Sequence, residues 1–221
     1  FFSSARRFND PFDSSVPLRY DIGNEKQMLE LYKKHLNLQN PLFSHDIIEK
    51  FAKDYVDKKQ FKDPKNLEEH INFQKEWTKN KYGIFVLTKE YKNILMWSHY
   101  SDSHKGICIQ FNVPKLKHFI EHDCVQQKFL ITWHKIEYKK NYPFLNPFHF
   151  NDIEVVTKPL TVKSKDWKYE NEYRFILFDY PDKKIILPEG IIDKIILGCR
   201  IEKPAKDEII RAAKKKSIPV W

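Results

Sequence analysis

The sequence predicts an α+β fold built on a mixed, mostly antiparallel sheet with an inserted helical layer. Strand-like segments are clustered along the chain instead of alternating strictly with helices, which favours α+β over a parallel α/β architecture. Three successive helical patterns occupy residues 24–80 without an intervening strand signal. An aromatic content of 15% in 221 residues also predicts a well-packed core. We therefore expect a single domain over residues 1–221 with a helical insertion at about 24–80.

The predicted insertion contains three amphipathic helices. Apolar side chains recur at helical spacing over about residues 24–38. Ser44 or Asp46 is a suitable N-cap for the second helix, and Pro64, after Asp63, is favourable at the first position of the third. The exposed faces of these helices are rich in Lys and Glu. They therefore predict a structural layer and not a site.

The remaining segments predict strands joined by shorter helices. Alternating or short apolar runs predict strands at residues 82–87, 106–111, 129–138, 172–178, 184–187, 194–197 and 218–221. Helical patterns cover residues 93–100, 114–120, 151–158 and 204–216. The chain contains no internal repeat.

Composition excludes several function classes. Only five glycines are present, and neither glycine-rich phosphate loop occurs, which argues against P-loop nucleotide hydrolases and Rossmann dehydrogenases. The formal net charge of +9 allows an anionic partner such as nucleic acid, although interleaved acids and bases are equally typical of a solvated surface. Three widely spaced cysteines predict reduced, mostly buried thiols in a cytoplasm. No apolar run approaches the ~20 residues that span a bilayer, so we expect no membrane partner.

The densest cluster of chemistry-bearing residues is the box at residues 167–174, with sequence WKYENEYR. Glu170, Glu172 and Arg174 would share one face of a strand that begins early, because side chains alternate with period 2. Tyr173 would face the opposite side if the strand begins at Glu172. A carboxylate there can bind a sugar hydroxyl or stabilise an oxocarbenium-like transition state. The alternative is a set of surface ion pairs worth about 0–1 kcal/mol each.

A second box covers residues 95–111. His99 has an unperturbed pKa that suits acid–base chemistry or phosphate binding near neutral pH, or it is a half-buried ring with an ordinary packing role. Tyr100 is able to stack on a planar ligand ring, whereas Trp97 is interpreted as core.

The first box covers residues 1–13. Ser3 and Ser4 end a strand-like segment ahead of two arginines, where hydroxyls are able to meet a phosphate or a ribose. Asn9 and Asp10 precede proline and are typical of a turn, so we interpret them as structural caps. Neither histidine spacing nor carboxylate spacing predicts a metal site, and no G-x-S-x-G elbow is present.

These boxes, followed by Ile192, Ile195 and Gly198 in a fourth, resemble the prokaryotic domain-of-unknown-function family 2971 (DUF2971) in content and order. The resemblance spans nearly the whole chain. It implies a strand and a helix ahead of the first box, so we expect the natural amino terminus to precede Phe1. The family supplies no established activity.

Two features are also similar to the layout of ADP-ribosyltransferases: a strand that ends in two serines, and a glutamate ahead of a late strand. The split-sheet cleft of those enzymes binds NAD without a Rossmann glycine motif. By that resemblance, Ser3 or Ser4 lines the nicotinamide ribose pocket and Glu172 is the catalytic glutamate. We thus predict Glu172 and His99 as catalytic residues. We predict NAD, used as a substrate, to be bound by a further set: Ser3, Ser4, Tyr100, Glu170 and Arg174.

The resulting hypothesis is an NAD-dependent toxin or anti-phage defence effector that modifies protein or nucleic acid, with a neutralising antitoxin as a possible partner and no metal. Two alternatives stay open. One is a non-catalytic nucleic-acid- or protein-binding module of a defence system. The other is a metal-independent nuclease that uses His99.

Overall fold

The computed structural model describes residues 1–123, 131–141, 143–146, 148 and 152–221, with backbone alone at 131–132 and 152–156. Helices and antiparallel sheets are both present, so the predicted α+β class is confirmed. Residues within the chain group into two compact units. The first comprises Phe1–Arg7, Lys81–Tyr138 and Lys165–Trp221, and the second comprises Phe8–Asn80 and Lys139–Ser164.

The first unit is organised around a three-stranded antiparallel sheet. Its strands are β1 (Tyr82–Thr88), β6 (Glu172–Phe178) and β3 (Ile131–Lys135), with β6 in the centre. Phe2 and Ser3 extend this sheet on the far side of β1, where Ser3 exchanges backbone hydrogen bonds with Ile84. The central position explains the apolar run at the end of β6, because both of its edges are paired and both of its faces are covered.

One face of this sheet packs on an apolar core. Phe175 and Leu177 alternate with Arg174 and Ile176 along β6, so they share a face. They form a fully buried cluster with Phe2, Leu116, Ile120 and Ile191. Residues 113–118 and 191 therefore anchor the remaining elements of the unit to the sheet.

A second antiparallel pair in this unit joins β2 (Ile107–Phe111) to β7 (Ile192–Leu197). The helices are α4 (Ile94–Tyr100), α5 (Val113–His118) with a π-helical turn over Phe119–Asp123, and α7 (Lys203–Lys215). A Cβ atom on Gly198 would lie 2.1 Å from the carbonyl oxygen of His104. Gly198 also donates its N–H to the Gly106 carbonyl at 2.9 Å, so the glycine of the fourth box permits a close backbone crossing.

The second unit contains the predicted helical region as α1 (Glu25–Gln39), α2 (His45–Asp57) and α3 (Pro64–Lys81), together with α6 (Asp152–Thr161). Asn24 and Gln27 form a capping box on α1, and Ser44 caps α2. Two buried clusters hold this unit together, one around Tyr20 and Leu145 and the other around Met28, Tyr55, Val56 and Phe61. This unit also contains the three-residue strand β5 (Val162–Ser164), whereas the three-residue strand β4 (Glu137–Lys139) begins in the first unit with Glu137 and Tyr138.

One strand prediction was wrong. Residues 184–187 form no ladder, because Ile185 and Leu187 pack on the core while Ile186 is exposed and Pro188 supplies no N–H. The closing segment pairs with β7 over a short stretch, through a parallel bridge between Val220 and Ile195 and backbone hydrogen bonds of Pro219 and Trp221. Residues 129–130, at the start of the predicted strand 129–138, lie outside the described residues.

The cysteine expectation was also wrong in part. Cys199 is exposed and Cys108 is only half-buried, whereas Cys124 lies outside the described residues. No helix in the described part of the chain is long and apolar enough to cross a bilayer.

Candidate functional site

A cleft of about 550 Å³ opens in the first unit where β1 and β3 end and β6 begins. Antiparallel pairing places the end of β1 and the start of β6 side by side, since Thr88 is the ladder partner of Glu172. The cleft is lined by one carboxylate, two ammonium groups, two amides, two phenol rings and an aliphatic floor: Glu90, Lys135, Lys168, Asn93, Asn171, Tyr138, Tyr169 and Ile136.

Hydrogen bonds fix the loop after β1 against the WKYENEYR box. The Thr88 hydroxyl donates to the carbonyl of Glu170, and the Asn93 amide donates to the carbonyl of Tyr169 at 3.4 Å. The Asn171 amide donates to the Glu90 carboxylate at 2.9 Å. Both walls of the cleft are therefore tied to one another before any ligand binds, which lowers the ordering cost of binding.

Asn171 determines where the strand begins. Its φ of +43° lies in the left-handed region, which asparagine tolerates better than most residues. The chain turns there from the 3₁₀ helix Lys165–Glu170 into β6. Glu170 consequently lies in the helix and not on the strand face of Glu172 and Arg174, so the early strand start is not observed.

Glu170 and Tyr100, both predicted NAD-binding residues, are in direct contact. Glu170 is only 2% exposed, and its carboxylate accepts a hydrogen bond from the Tyr100 hydroxyl. Helix α4 positions Tyr100, and the Asn93 side chain caps the N-terminus of that helix. The cleft residue Asn93 thus also orients the second sequence box.

His99 lies on the same side of the box but is exposed. Its ring centroid is 6.3 Å from each of the Trp167 and Tyr169 rings. Trp97, interpreted as core, is only half-buried and donates its indole N–H to the Tyr91 carbonyl at 2.7 Å. The structure therefore places His99 against the aromatic part of the box and outside the lining of the cleft.

Glu172 and Arg174 form a buried ion pair. The Arg174 Nε donates to Glu172 Oε1 at 2.6 Å, and the two side chains are 3% and 1% exposed. They lie two residues apart on β6 and therefore share a face, as the alternation predicts. The backbone N–H of Glu172 donates to the Tyr138 hydroxyl at 2.9 Å, which links this pair to a residue that lines the cleft.

Ser3 and Ser4 lie elsewhere on the sheet. Ser3 pairs with Ile84, four residues before the ladder partner of Glu172, which is roughly 13 Å along the strand. The Ser4 hydroxyl donates to Asp182 at 3.0 Å, and Arg7 forms an ion pair with the same carboxylate at 2.8 Å. These partners, with the Ser4 N–H first, lower the pKa of Asp182. The structure thus does not bring the two serines together with Glu172.

Most residues of the cleft lining were not predicted from the sequence. Glu90 and Asn93 follow β1, and Lys135 and Tyr138 belong to the end of β3 and to β4. Only the register of the two ladders brings these positions to the WKYENEYR box. In the sequence, the one indication of Glu90 and Asn93 as lining residues is that they lie in the polar segment that precedes the second box.

Acidic and histidine side chains give no sign of a metal centre in this part of the molecule. Among the residues that the structure describes, no three His, Cys, Asp or Glu side chains are grouped so as to hold a metal ion. The chemistry of the cleft is that of hydrogen bonding, ring stacking and charge.

Comparison with known proteins gives a family match over part of the chain. No match was found among curated proteins, and none among solved structures. Residues 96–175 match the family described as "Protein of unknown function (DUF2971)". This segment runs from the second box through the WKYENEYR box and includes Tyr100, Glu170 and Glu172. The predicted resemblance to DUF2971 is therefore confirmed over residues 96–175.

Proposed function

We propose that this protein is an NAD-dependent ADP-ribosyltransferase-like enzyme whose substrate binds in the cleft where β1 and β3 end and β6 begins. The observation that carries the proposal is the cleft itself. Its volume of about 550 Å³ lies within the range of small-molecule sites, roughly 300–1,000 Å³. The cleft also adjoins the WKYENEYR box, which contains Glu172, the catalytic glutamate that the resemblance to ADP-ribosyltransferases implies.

The lining supplies the functional groups that a dinucleotide requires. The half-buried ring of Tyr169 offers a stacking surface for a planar base. Asn93, Asn171 and Glu90 offer amide and carboxylate groups for ribose hydroxyls. Lys135 and Lys168 outnumber the one lining carboxylate, which favours an anionic ligand.

The proposed reaction transfers ADP-ribose from NAD to an acceptor. The bond between the nicotinamide nitrogen and ribose C1′ breaks, and nicotinamide leaves with the bonding electron pair. An acceptor nucleophile forms a new bond to C1′ and releases its proton to a base. Positive charge develops on the ribose in the transition state, and a carboxylate close to it is stabilising.

Two carboxylates are candidates for that role. Glu172 is the residue predicted from the sequence, and its buried pairing with Arg174 must open for direct contact with the ribose. Glu90 lines the cleft already and is held by Asn171. Glutamine variants of the two residues separate these roles, because the amide keeps the shape and removes the charge.

The first experiment follows the label from NAD carrying radioactive adenylate into cell extract and RNA. The wild-type chain is expected to release nicotinamide and to label an acceptor. Glu172→Gln, or Glu90→Gln if that residue contacts the ribose, is expected to lower the rate about 100-fold or more. Glu208→Gln, on the exposed face of α7, is the matched control and keeps full activity. No turnover by the wild type contradicts the proposal.

We further propose that the reaction serves as a toxin or defence activity against acceptors in the cytoplasm. Expression of the wild-type chain in bacteria then arrests growth, whereas expression of the inactive glutamine variant does not. An antitoxin would be expected to restore growth. Equal toxicity of the wild type and the inactive variant excludes NAD chemistry as its cause.

A non-catalytic nucleic-acid-binding role is the second candidate, and the surface of α7 favours it. Exposed cations line this helix and its end: Lys203, Lys206, Arg211, Lys214, Lys215 and Lys216. Binding of RNA or DNA that weakens steeply with salt, without NAD turnover, supports this candidate. RNA cleavage that is independent of NAD and lost in His99→Ala supports the nuclease alternative instead.

A further inference from the structure

Two ammonium groups converge on one phenol at the start of β6. Lys135 is the ladder partner of Tyr173 on β3, and Lys89 follows the end of β1 on the other side. The Lys89 Nζ lies 4.8 Å from the centroid of the Tyr173 ring, and the Lys135 Nζ lies 5.9 Å from it. Trp133 stacks on the same ring at 5.3 Å, which restricts its orientation.

The phenol shows the influence of these cations. The Lys89 ammonium beside the ring, with the charge of Lys135 as a further contribution, lowers the pKa of Tyr173. Within the part of the chain that the structure describes, neither lysine forms an ion pair with a carboxylate. Many other lysines do have such a partner, as Lys33 has with Glu49 at 2.5 Å and Lys203 with Asp207 at 2.9 Å.

One lysine of the pair belongs to the cleft. Lys135 is itself a lining residue, and Lys89 is the neighbour in sequence of the lining residue Glu90. Two ammonium groups that contact one ring, and that no carboxylate neutralises, favour an anion that carries more than one negative charge. A diphosphate has this property, whereas a nucleoside or the positively charged nicotinamide ring does not.

We propose that Lys89, Tyr173 and Lys135 form the diphosphate-binding end of the cleft, so that its ligands are nucleoside diphosphate derivatives such as ADP-ribose. This inference rests on the proposed function for the location of the ligand. It goes beyond that function by assigning one end of the cleft to the phosphates. The Tyr173 phenol holds the Lys89 ammonium in place, and the planar parts of the ligand lie toward Tyr169.

The test is a calorimetric titration of ADP-ribose into the wild-type chain and into Lys89→Met and Lys135→Met. Each substitution is expected to weaken binding about tenfold, since each removes one charge-assisted contact. Lys206→Met, an exposed lysine of α7, is the matched control and leaves the affinity unchanged. Adenosine is expected to bind to all four chains with the same low affinity. Inorganic pyrophosphate is expected to bind to the wild type and to compete with ADP-ribose.

The outcomes separate this inference from the proposed function. If ADP-ribose binding depends on both lysines while NAD is not consumed, the diphosphate site stands and the transferase activity falls. If NAD is consumed but neither substitution changes ADP-ribose affinity or the KM for NAD, the diphosphate site is overturned and the activity stands. Absence of ADP-ribose binding to the wild type overturns the diphosphate site outright.

Discussion

Tyr100 donates a hydrogen bond to the buried carboxylate of Glu170, and this contact joins the two sequence boxes that the DUF2971 match contains. The residues are 70 positions apart in the chain. Glu170 is almost inaccessible to solvent, so its carboxylate depends on partners within the protein. The contact holds the end of α4 against the segment that precedes β6.

Tyr100→Phe removes the hydroxyl of this contact and leaves a buried carboxylate with one partner fewer. We expect the free energy of unfolding to fall by about 1–3 kcal/mol, measured by urea denaturation with circular dichroism. Tyr91→Phe is the control, because Tyr91 is 44% exposed and bonds Trp97 through its backbone carbonyl. An equally small loss in the free energy of unfolding for both substitutions would contradict a stabilising role of the hydrogen bond between Tyr100 and Glu170.

The Glu172–Arg174 pair predicts a non-additive stability effect. Arg174→Met removes the ion-pair partner at 2.6 Å from the buried Glu172 carboxylate, so we expect a loss of about 3–5 kcal/mol in the free energy of unfolding. Glu172→Gln combined with Arg174→Met removes both charges, and we expect it to recover much of that loss. The measurement is a double-mutant cycle in guanidinium chloride. Strictly additive losses would show that the pair is not a coupled unit.

The helical unit is expected to lose stability in acid because of two histidines, the buried His35 and the half-buried His70. Burial, with a further contribution from the charge of His35, lowers the pKa of His70 to about 4, and burial lowers the pKa of His35 as well. Their rings lie 4.7 Å apart, and the Nε2 of His70 is buried without a hydrogen-bond partner in the described structure. Protonation therefore favours the unfolded chain.

Stability falls with falling pH because the pKa of His70 is lower in the folded protein than in the unfolded chain. The stabilisation from neutral His70 is complete above the unfolded pKa of about 6.5 and is lost as the pH falls from there toward 4. The difference between the unfolded and folded pKa values of His70 corresponds to about 3 kcal/mol in the free energy of unfolding. Urea denaturation at pH 7.5 and pH 4.5 measures it, and His70→Leu is expected to flatten the dependence. An unchanged pH profile in that variant would assign the acid sensitivity elsewhere.

Gly198→Ala is expected to lower the free energy of unfolding by about 3 kcal/mol, because its Cβ would overlap the carbonyl oxygen of His104. The overlap is with backbone, which has no side-chain rotation to relieve it. Thermal unfolding measures the effect. Cys199→Ala, at the exposed neighbouring position, is the control and is expected to be neutral. If Gly198→Ala leaves the free energy of unfolding unchanged, the backbone at Gly198 is able to shift away from the His104 carbonyl at no cost, which contradicts the prediction.

Periodicity and capping residues predicted most of the regular elements. Ser44, one of two candidate caps, and Pro64 mark the starts of α2 and α3 correctly, because capping is local chemistry that the sequence contains. The start of α1 was predicted from apolar periodicity alone, without its cap Asn24. The strand at residues 184–187 was over-predicted for the opposite reason. Its alternation of apolar residues reflects packing on the core, and only tertiary structure shows that no ladder partner is present.

The candidate site was predictable only in part. The WKYENEYR box was identified from composition, and the structure places it beside the cleft. Glu90, Lys135 and Tyr138 were not identified, because their proximity depends on strand register. A period of 2 specifies the face of a strand and not its partner. The left-handed φ of Asn171, which separates Glu170 from the strand face, was equally invisible in the alternation pattern.

The most direct test of the central claim, that the cleft binds NAD, is a calorimetric titration of NAD into the wild-type chain and into Tyr169→Leu. Tyr169 lines the cleft with a half-buried ring, so the substitution removes the stacking surface and keeps an apolar side chain. We expect the wild-type chain to bind one NAD, and we expect the affinity to fall about tenfold in the variant. Absence of NAD binding to the wild type, or equal affinity in a correctly folded variant, would contradict it.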